Sequence, residues 1–180
     1  MNSNIMRRAF SSIYNYSSAS NPRVFLSVAN QGNKLGDLVF ELYEDKQPAF
    51  AERFQEMLAG RADGKGFVGT SFQKGMAGLG VYAGKSSDDN SGASGYWEVD
   101  GDLTLRHYKR GMLSSPISGP SRNGTEFMVT FNEAQFLNGS QTVFGELVEG
   151  HDVLAEIEKH CDRHGKVAEG LEIVAGGAKE

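Results

Sequence analysis

Several places in this chain carry residue types that do chemistry. His160, Cys161 and His164 form an H-C-x-x-H cluster, a donor set suited to zinc, but no fourth donor follows at zinc-like spacing. The run reads better as the solvated end of a helix. GLGVYAGKS, residues 78–86, has the glycines and the Lys-Ser pair of a phosphate-cradling loop. Its spacing fails, since Gly78 to Gly84 is one residue too long and Gly80 to Gly84 too short. Ser114 and Ser115 are candidate nucleophiles without a histidine near them in sequence to serve as base. His107 sits inside the basic run 106–110, which suits a solvated loop or a partner contact, and Asp88 and Asp89 lie among Ser, Asn and Gly, the composition of a loop. These readings lead to the expectation that the protein uses no metal and no cofactor.

The elements that would position any site follow from periodicity. Residues 24–29 and 38–43 read as strands joined through a turn at Gly32 and Asn33. Pro48 suits the first turn of a helix with Phe50, Phe54, Met57 and Leu58 on one stripe and a stop at Gly60. Residues 61–66 form a loop, 67–73 a strand, and the glycine-rich stretch 75–90 gives no clear pattern. Trp97, Glu98 and Val99 form a brief strand or turn, and residues 111–114 the next strand. TEFMVTF (125–131) and 142–145 are strands, with turn signals at Gly119-Pro120, Asn123-Gly124 and Leu137-Asn138-Gly139. Val153, Leu154 and Ile157 mark a second helix, and GLEIVA (170–175) a last strand. No internal repeat or linker interrupts the series.

Composition narrows the function classes. A chain of 180 residues with 39 % hydrophobic residues suits one domain with a real core. The single Cys161 excludes an intramolecular disulfide framework, and no run of 18 apolar residues suggests a membrane span. The sequons at Asn123 and Asn138 therefore read as turn chemistry. The first 36 residues hold four basic side chains and no acid, leaving 14 basic and 23 acidic in the rest, a net of −9 there. An acidic body argues against nucleic acid as the main partner, because phosphate binding needs clustered Lys and Arg. The start, MNSNIMRRAFSSIYNYSSAS, is basic and Ser-rich like a mitochondrial transit segment, and Arg8-Ala9-Phe10 before Ser11 resembles a matrix-protease cleavage site. A disordered tail is the alternative, and an ordered polar tail would need a surface to hold it.

Residues 119–150, GPSRNGTEFMVTFNEAQFLNGSQTVFGELVEG, string these turns and strands together at fixed spacing and resemble the carboxy-terminal core of the cyclophilins, the peptidyl-prolyl isomerases. A second block, GDLVFELY (36–43) leading through Asp45 and Pro48 to Phe54, resembles the family's strand, turn and helix before the active centre. NPRVFLSVANQG and GLEIVA resemble its opening and closing strands, so the likeness covers about residues 21–177. It implies a mainly β fold, a closed eight-stranded antiparallel barrel capped by two α-helices. The chain then divides into a leader or docking arm (1–20), a cyclophilin-like domain (21–177) and a tail (178–180).

The resemblance also locates the site and its losses. Cyclophilins seat a proline ring in an apolar pocket while an arginine and nearby polar groups hydrogen-bond the amide, lowering a rotational barrier of about 20 kcal/mol. In FQKGMAGLGVYAG (72–84), Phe72, Gly78 and Gly84 fit the frame, but Lys74 takes the arginine's place. An ammonium cannot present a planar fork of donors. Leu79 and Gly80 stand for a phenylalanine and a methionine, and Tyr82 for a glutamine. Ile117 replaces an asparagine, Glu126 a glutamine, Met128 a phenylalanine, Phe136, with Leu137 beside it, a tryptophan, and Gln141 a histidine. In the family frame Gly80 removes a pocket wall, Tyr82 adds bulk, and Glu126 comes near Lys74. Losing a donor aimed at the transition state costs about 3 kcal/mol, a hundredfold or more in rate. The expectation is a degenerate site with weak or absent isomerase activity, in an accessory subunit of a multi-subunit mitochondrial assembly, respiratory or ribosomal, docked partly through residues 1–20. It would sit in the matrix or on the matrix side of the inner membrane. A working matrix isomerase is the alternative.

Overall fold

The structure, a computed structural model, describes residues 14–60, 66–84, 97–98, 101–117 and 122–180. Asp88, Asp89, Val99, Ser86 and the Gly119-Pro120 turn lie outside the described residues, as do residues 1–13 of the leader. Among the described residues, ten strands run in chain order as β1 (Arg23–Asn30), β2 (Asn33–Leu42), β3 (Lys74–Met76), β4 (Gly80–Ala83), β5 (Trp97–Glu98), β6 (Met112–Pro116), β7 (Arg122–Asn123), β8 (Phe127–Thr130), β9 (Gln141–Glu149) and β10 (Leu171–Lys179). Helix α1 (Pro48–Ala59) follows β2, α2 (His151–Lys159) follows β9, and a 3₁₀ turn at Gln135–Leu137 precedes β9.

Eight strands form one antiparallel sheet in the order β10-β1-β2-β9-β6-β8-β4-β3, and β5 pairs with β7 separately. The expected closed barrel needs correction, because the sheet is curled but open between β3 and β10. The cause is local. The chain after α2 takes the free edge of β3, with Gly75 N–H donating to Gly165 O (3.3 Å) and Ala77 N–H to Asp162 O (2.8 Å). The free edge of β10 is met by residues 69–72, where Gly69 N–H reaches Ile173 O (2.7 Å) and Phe72 N–H reaches Leu171 O (3.0 Å). Two irregular segments therefore fill the seam that a direct ladder would have closed.

The strand expected over 67–73 is that filler. Thr70 folds back on Phe67 O through its N–H (3.1 Å) and its hydroxyl (2.6 Å), so the ladder reduces to a bridge between Ser71 and Glu172. The β1–β2 turn also falls one residue earlier than expected, at Gln31 and Gly32, between the paired Asn30 and Asn33. Both central residues have positive φ, 48° and 80°. A two-residue hairpin matching the strand twist requires this, and Gly32 supplies it without a Cβ clash.

Alternation along the strands sorts side chains to two faces. Leu38, Phe40 and Leu42 of β2, Val81, Leu113, Phe127, Val129 and Phe144 point inward, where α1 contributes Phe50, Ala51, Phe54, Met57 and Leu58 and α2 contributes Val153, Leu154 and Ile157. Phe54 lies at the centre of an aromatic group, 5.1 Å from the Phe67 and Phe127 rings and 5.5 Å from Phe144. A second, smaller cluster of Tyr43, Leu105, Met112 and Val143 is closed by Tyr16 and Tyr108. Residues 14–21, read from composition as leader and domain start, thus lie on the chain's own body. No helix among the described residues is long and apolar enough to cross a membrane.

Candidate functional site

The same alternation builds the site. On β4, β8 and β6 the residues between the core-facing ones are Tyr82, Met128 and Ser114, and the registers Tyr82 to Met128 and Met128 to Ser114 set them in a row across three strands. Lys74 stands directly opposite Tyr82 on β3. Its Nζ lies 4.4 Å from the centre of the Tyr82 ring and 3.4 Å from Oε1 of Glu126, the residue just before β8. The lysine side chain is 56 % exposed and Glu126 24 %. The ion pair therefore contributes at most about 1 kcal/mol, and the cation–π contact about as much. The two contacts orient the ammonium but leave it reachable.

A buried amide holds the phenol. Ser114 Oγ donates to Gln141 Oε1 (2.8 Å), and Gln141 Nε2 donates to the Tyr82 hydroxyl (3.0 Å). Ser114 has no exposed surface and Gln141 only 6 %, so both ends of this relay are fixed by packing. With its oxygen accepting from Gln141, the Tyr82 hydroxyl keeps its hydrogen for an outside acceptor. Ser114 was not expected here. It drew notice only as a nucleophile without a base, and its partnership depends on cross-strand register.

Gly80 does not leave the open wall that its sequence position implied. It pairs with Thr130, and a Cβ built on it would run into Met128 Cε, with Val129 O at 2.7 Å and Thr130 Cα at 3.3 Å. The flexible thioether of Met128, wholly buried, fills the space above the bare backbone. The β3–β4 turn next to it is clamped from α2. Glu158 accepts from Gly78 N–H (3.1 Å) and from Arg110 Nη1 (2.6 Å), while Asn132 Nδ2 donates to Gly78 O (2.8 Å).

The remaining pocket positions spread out. Phe72, 5 % exposed, belongs to the interior cluster. Leu79 lies in the β3–β4 turn, partly buried, its carbonyl accepting Phe131 N–H (2.9 Å). Ile117 follows β6, also partly buried. Leu137 is partly buried on the 3₁₀ turn, and Phe136 beside it is 71 % exposed. The structure thus gathers Lys74, Tyr82, Glu126, Met128 and Gln141 into one strip, exposed at Lys74 and buried at Met128 and Gln141, and places Phe136 and Leu137 on the 3₁₀ turn.

The H-C-x-x-H run is occupied otherwise. His160 uses both ring nitrogens, one with Asn30 Nδ2 (2.9 Å) and one with Glu156 O (2.8 Å). The Cys161 thiol is buried against Ile157 O, and burial pushes its pKa up to about 11. Among the described residues no three His, Cys, Asp or Glu side chains converge as a metal site. Residues 78–83 of the glycine-rich run form the β3–β4 hairpin, not the loop-to-helix junction a phosphate needs.

Among the described residues, a curled, open antiparallel sheet carrying two helices defines a β-barrel-like scaffold. The chain belongs to the cyclophilin-type peptidyl-prolyl cis-trans isomerase family, whose model, "Cyclophilin type peptidyl-prolyl cis-trans isomerase/CLD", matches residues 25–176.

Proposed function

We propose that this cyclophilin-type protein uses the strip around Lys74 and Tyr82 to hold a peptide segment of a partner protein, with little or no acceleration of prolyl isomerisation. The observation that carries the reading is the state of Lys74. Its ammonium is in contact with both the Glu126 carboxylate and the Tyr82 ring. A point charge with those neighbours can attract a carbonyl, but it cannot hold two parallel hydrogen bonds on an amide as the amide twists. Catalysis requires stronger binding of the twisted amide than of the planar one. The Tyr82 hydroxyl, held by Gln141, adds one neutral donor. Met128 fills the space over Gly80, which reduces the seat for a proline ring.

On this reading the protein serves as an accessory subunit of a larger assembly. The transit-like composition of the first residues supports a mitochondrial setting, with a respiratory-chain or ribosomal assembly as the candidate host. Titration of isotope-labelled protein with a proline-containing peptide tests the binding role. Shifts should centre on Lys74, Tyr82 and Glu126, and Tyr82→Phe should weaken affinity about fivefold, the worth of one neutral hydrogen bond. Tight cyclosporin binding would count against the altered site. Native gels of mitochondria probed for this chain test the host, and migration only as a monomer would contradict the subunit role.

A further inference from the structure

Two parts of the molecule that are far apart in sequence meet through His107, and their meeting assigns a role to residues 14–21. The segment is anchored on a buried carboxylate. Glu41, 3 % exposed, accepts from Ser17 Oγ (2.8 Å), Ser18 N–H (2.8 Å) and Asn21 Nδ2 (3.1 Å). Tyr16 then packs its ring 5.6 Å from Tyr43 and 5.7 Å from Tyr108, and its hydroxyl accepts Arg106 N–H (3.2 Å). Both neighbours of His107 therefore rest on Tyr16.

His107 in turn carries both ends of the 3₁₀ turn, the lip that bears the exposed Phe136. It has no exposed surface. Its carbonyl accepts Ala134 N–H (2.9 Å), while its backbone N–H (2.8 Å) and Nδ1 (3.0 Å) both reach Asn138 Oδ1. Ala134 and Asn138 bracket the 3₁₀ turn that presents Phe136 and Leu137. The joint leaves His107 Nε2 and Asn138 Nδ2 buried with no hydrogen-bond partner. Such a joint is costly by itself and persists because packing around it holds it closed. Tyr16 bears on the joint through the residues on either side of His107, Arg106 and Tyr108.

We propose that Tyr16 and Glu41 are positioning residues for the Phe136–Leu137 lip, and that residues 14–21 act as a strap whose release relaxes it. Ser17 is the sensitive point, being exposed while its hydroxyl donates to the buried carboxylate. An anionic group there would face Glu41 at hydrogen-bond range and push the strap away. The inference stands apart from the peptide-binding reading, because its readout is the lip itself.

The test uses the full chain with 4-fluorophenylalanine at position 136 and isotope-labelled backbone. In Ser17→Asp, exchange of the Ser18 amide should speed up at least tenfold, and the fluorine signal together with the amides of Ala134, Leu137 and Asn138 should shift. Tyr16→Ala should move the same signals, and Tyr16→Phe, which keeps the ring, should restore most of their positions. Should Tyr16→Ala fail to fold, Ser17→Asp against Tyr16→Phe decides. A Ser17→Asp protein whose strap amides exchange rapidly while the lip signals stay in place overturns the coupling. Unchanged Ser18 exchange overturns the anchoring by Glu41.

Discussion

Replacing Gly80 with alanine should destabilise the fold, although the family frame has a large side chain at that position. The new methyl would press on Met128 Cε and lie 2.7 Å from Val129 O, a backbone atom that cannot swing aside. Overpacking of this kind costs about 1–3 kcal/mol, or roughly 2–12 °C in Tm for a chain of this length. Met128→Ala alone removes a wholly buried side chain and should cost about 2–5 kcal/mol. In the double variant the two losses should add to less than their sum by at least about 0.5 kcal/mol, because the alanine methyl enters space the methionine has left. Relief stays partial, since Val129 O remains. Urea unfolding of the four proteins, with equal m-values, measures each term. A Gly80→Ala protein within about 0.5 kcal/mol of the parent, or strictly additive losses, would refute the packing argument and reopen the pocket to a proline ring.

Two further outcomes follow from the buried titratable groups. Burial holds the His107 pKa below the ordinary 6.5, with the Asn138 hydrogen bond acting the other way. The unfolded chain therefore binds the proton more readily, so this contribution is whole above about pH 6.5 and is lost as the pH falls through the folded value. The slope reaches at most about 1.4 kcal/mol per pH unit. Stability measured from pH 7.5 to 5 should fall more steeply in the parent than in His107→Gln, and parallel curves would contradict this. The Cys161 thiol, pushed up to about 11 from 9.0, should react with a disulfide reagent at pH 8 about a hundredfold more slowly than an open cysteine, from thiolate population alone. Labelling at the open rate would show that the site next to β3 is not closed.

Much of the fold was legible because helix and strand periods were strong. The α1 stripe specifies one buried face, the apolar runs of β1 and β2 read as strands, and Pro48 and Gly60 punctuate the helix. The open seam was not legible. Residues 67–73 have strand composition, and only the turn that Thr70 makes on Phe67 O, together with the edge taken by residues 162–165, diverts them. In the site, Lys74, Tyr82 and Glu126 could be singled out from the family frame, but Ser114 could not. Its role depends on three strands pairing in one register. Residues 14–21 misled for a related reason. Their composition is that of a polar tail, and the signal against it is Tyr14 and Tyr16 at alternating positions together with Glu41, an acid inside the apolar run 38–43.

The central claim is that the Lys74 ammonium does not perform the chemistry of a guanidinium fork. Exchange spectroscopy on a proline peptide, with parent and Lys74→Ala proteins at equal concentration, measures this directly. The expected result is an interconversion rate indistinguishable from the uncatalysed one in both. A clear acceleration by the parent that disappears in Lys74→Ala would contradict the account and identify a working isomerase.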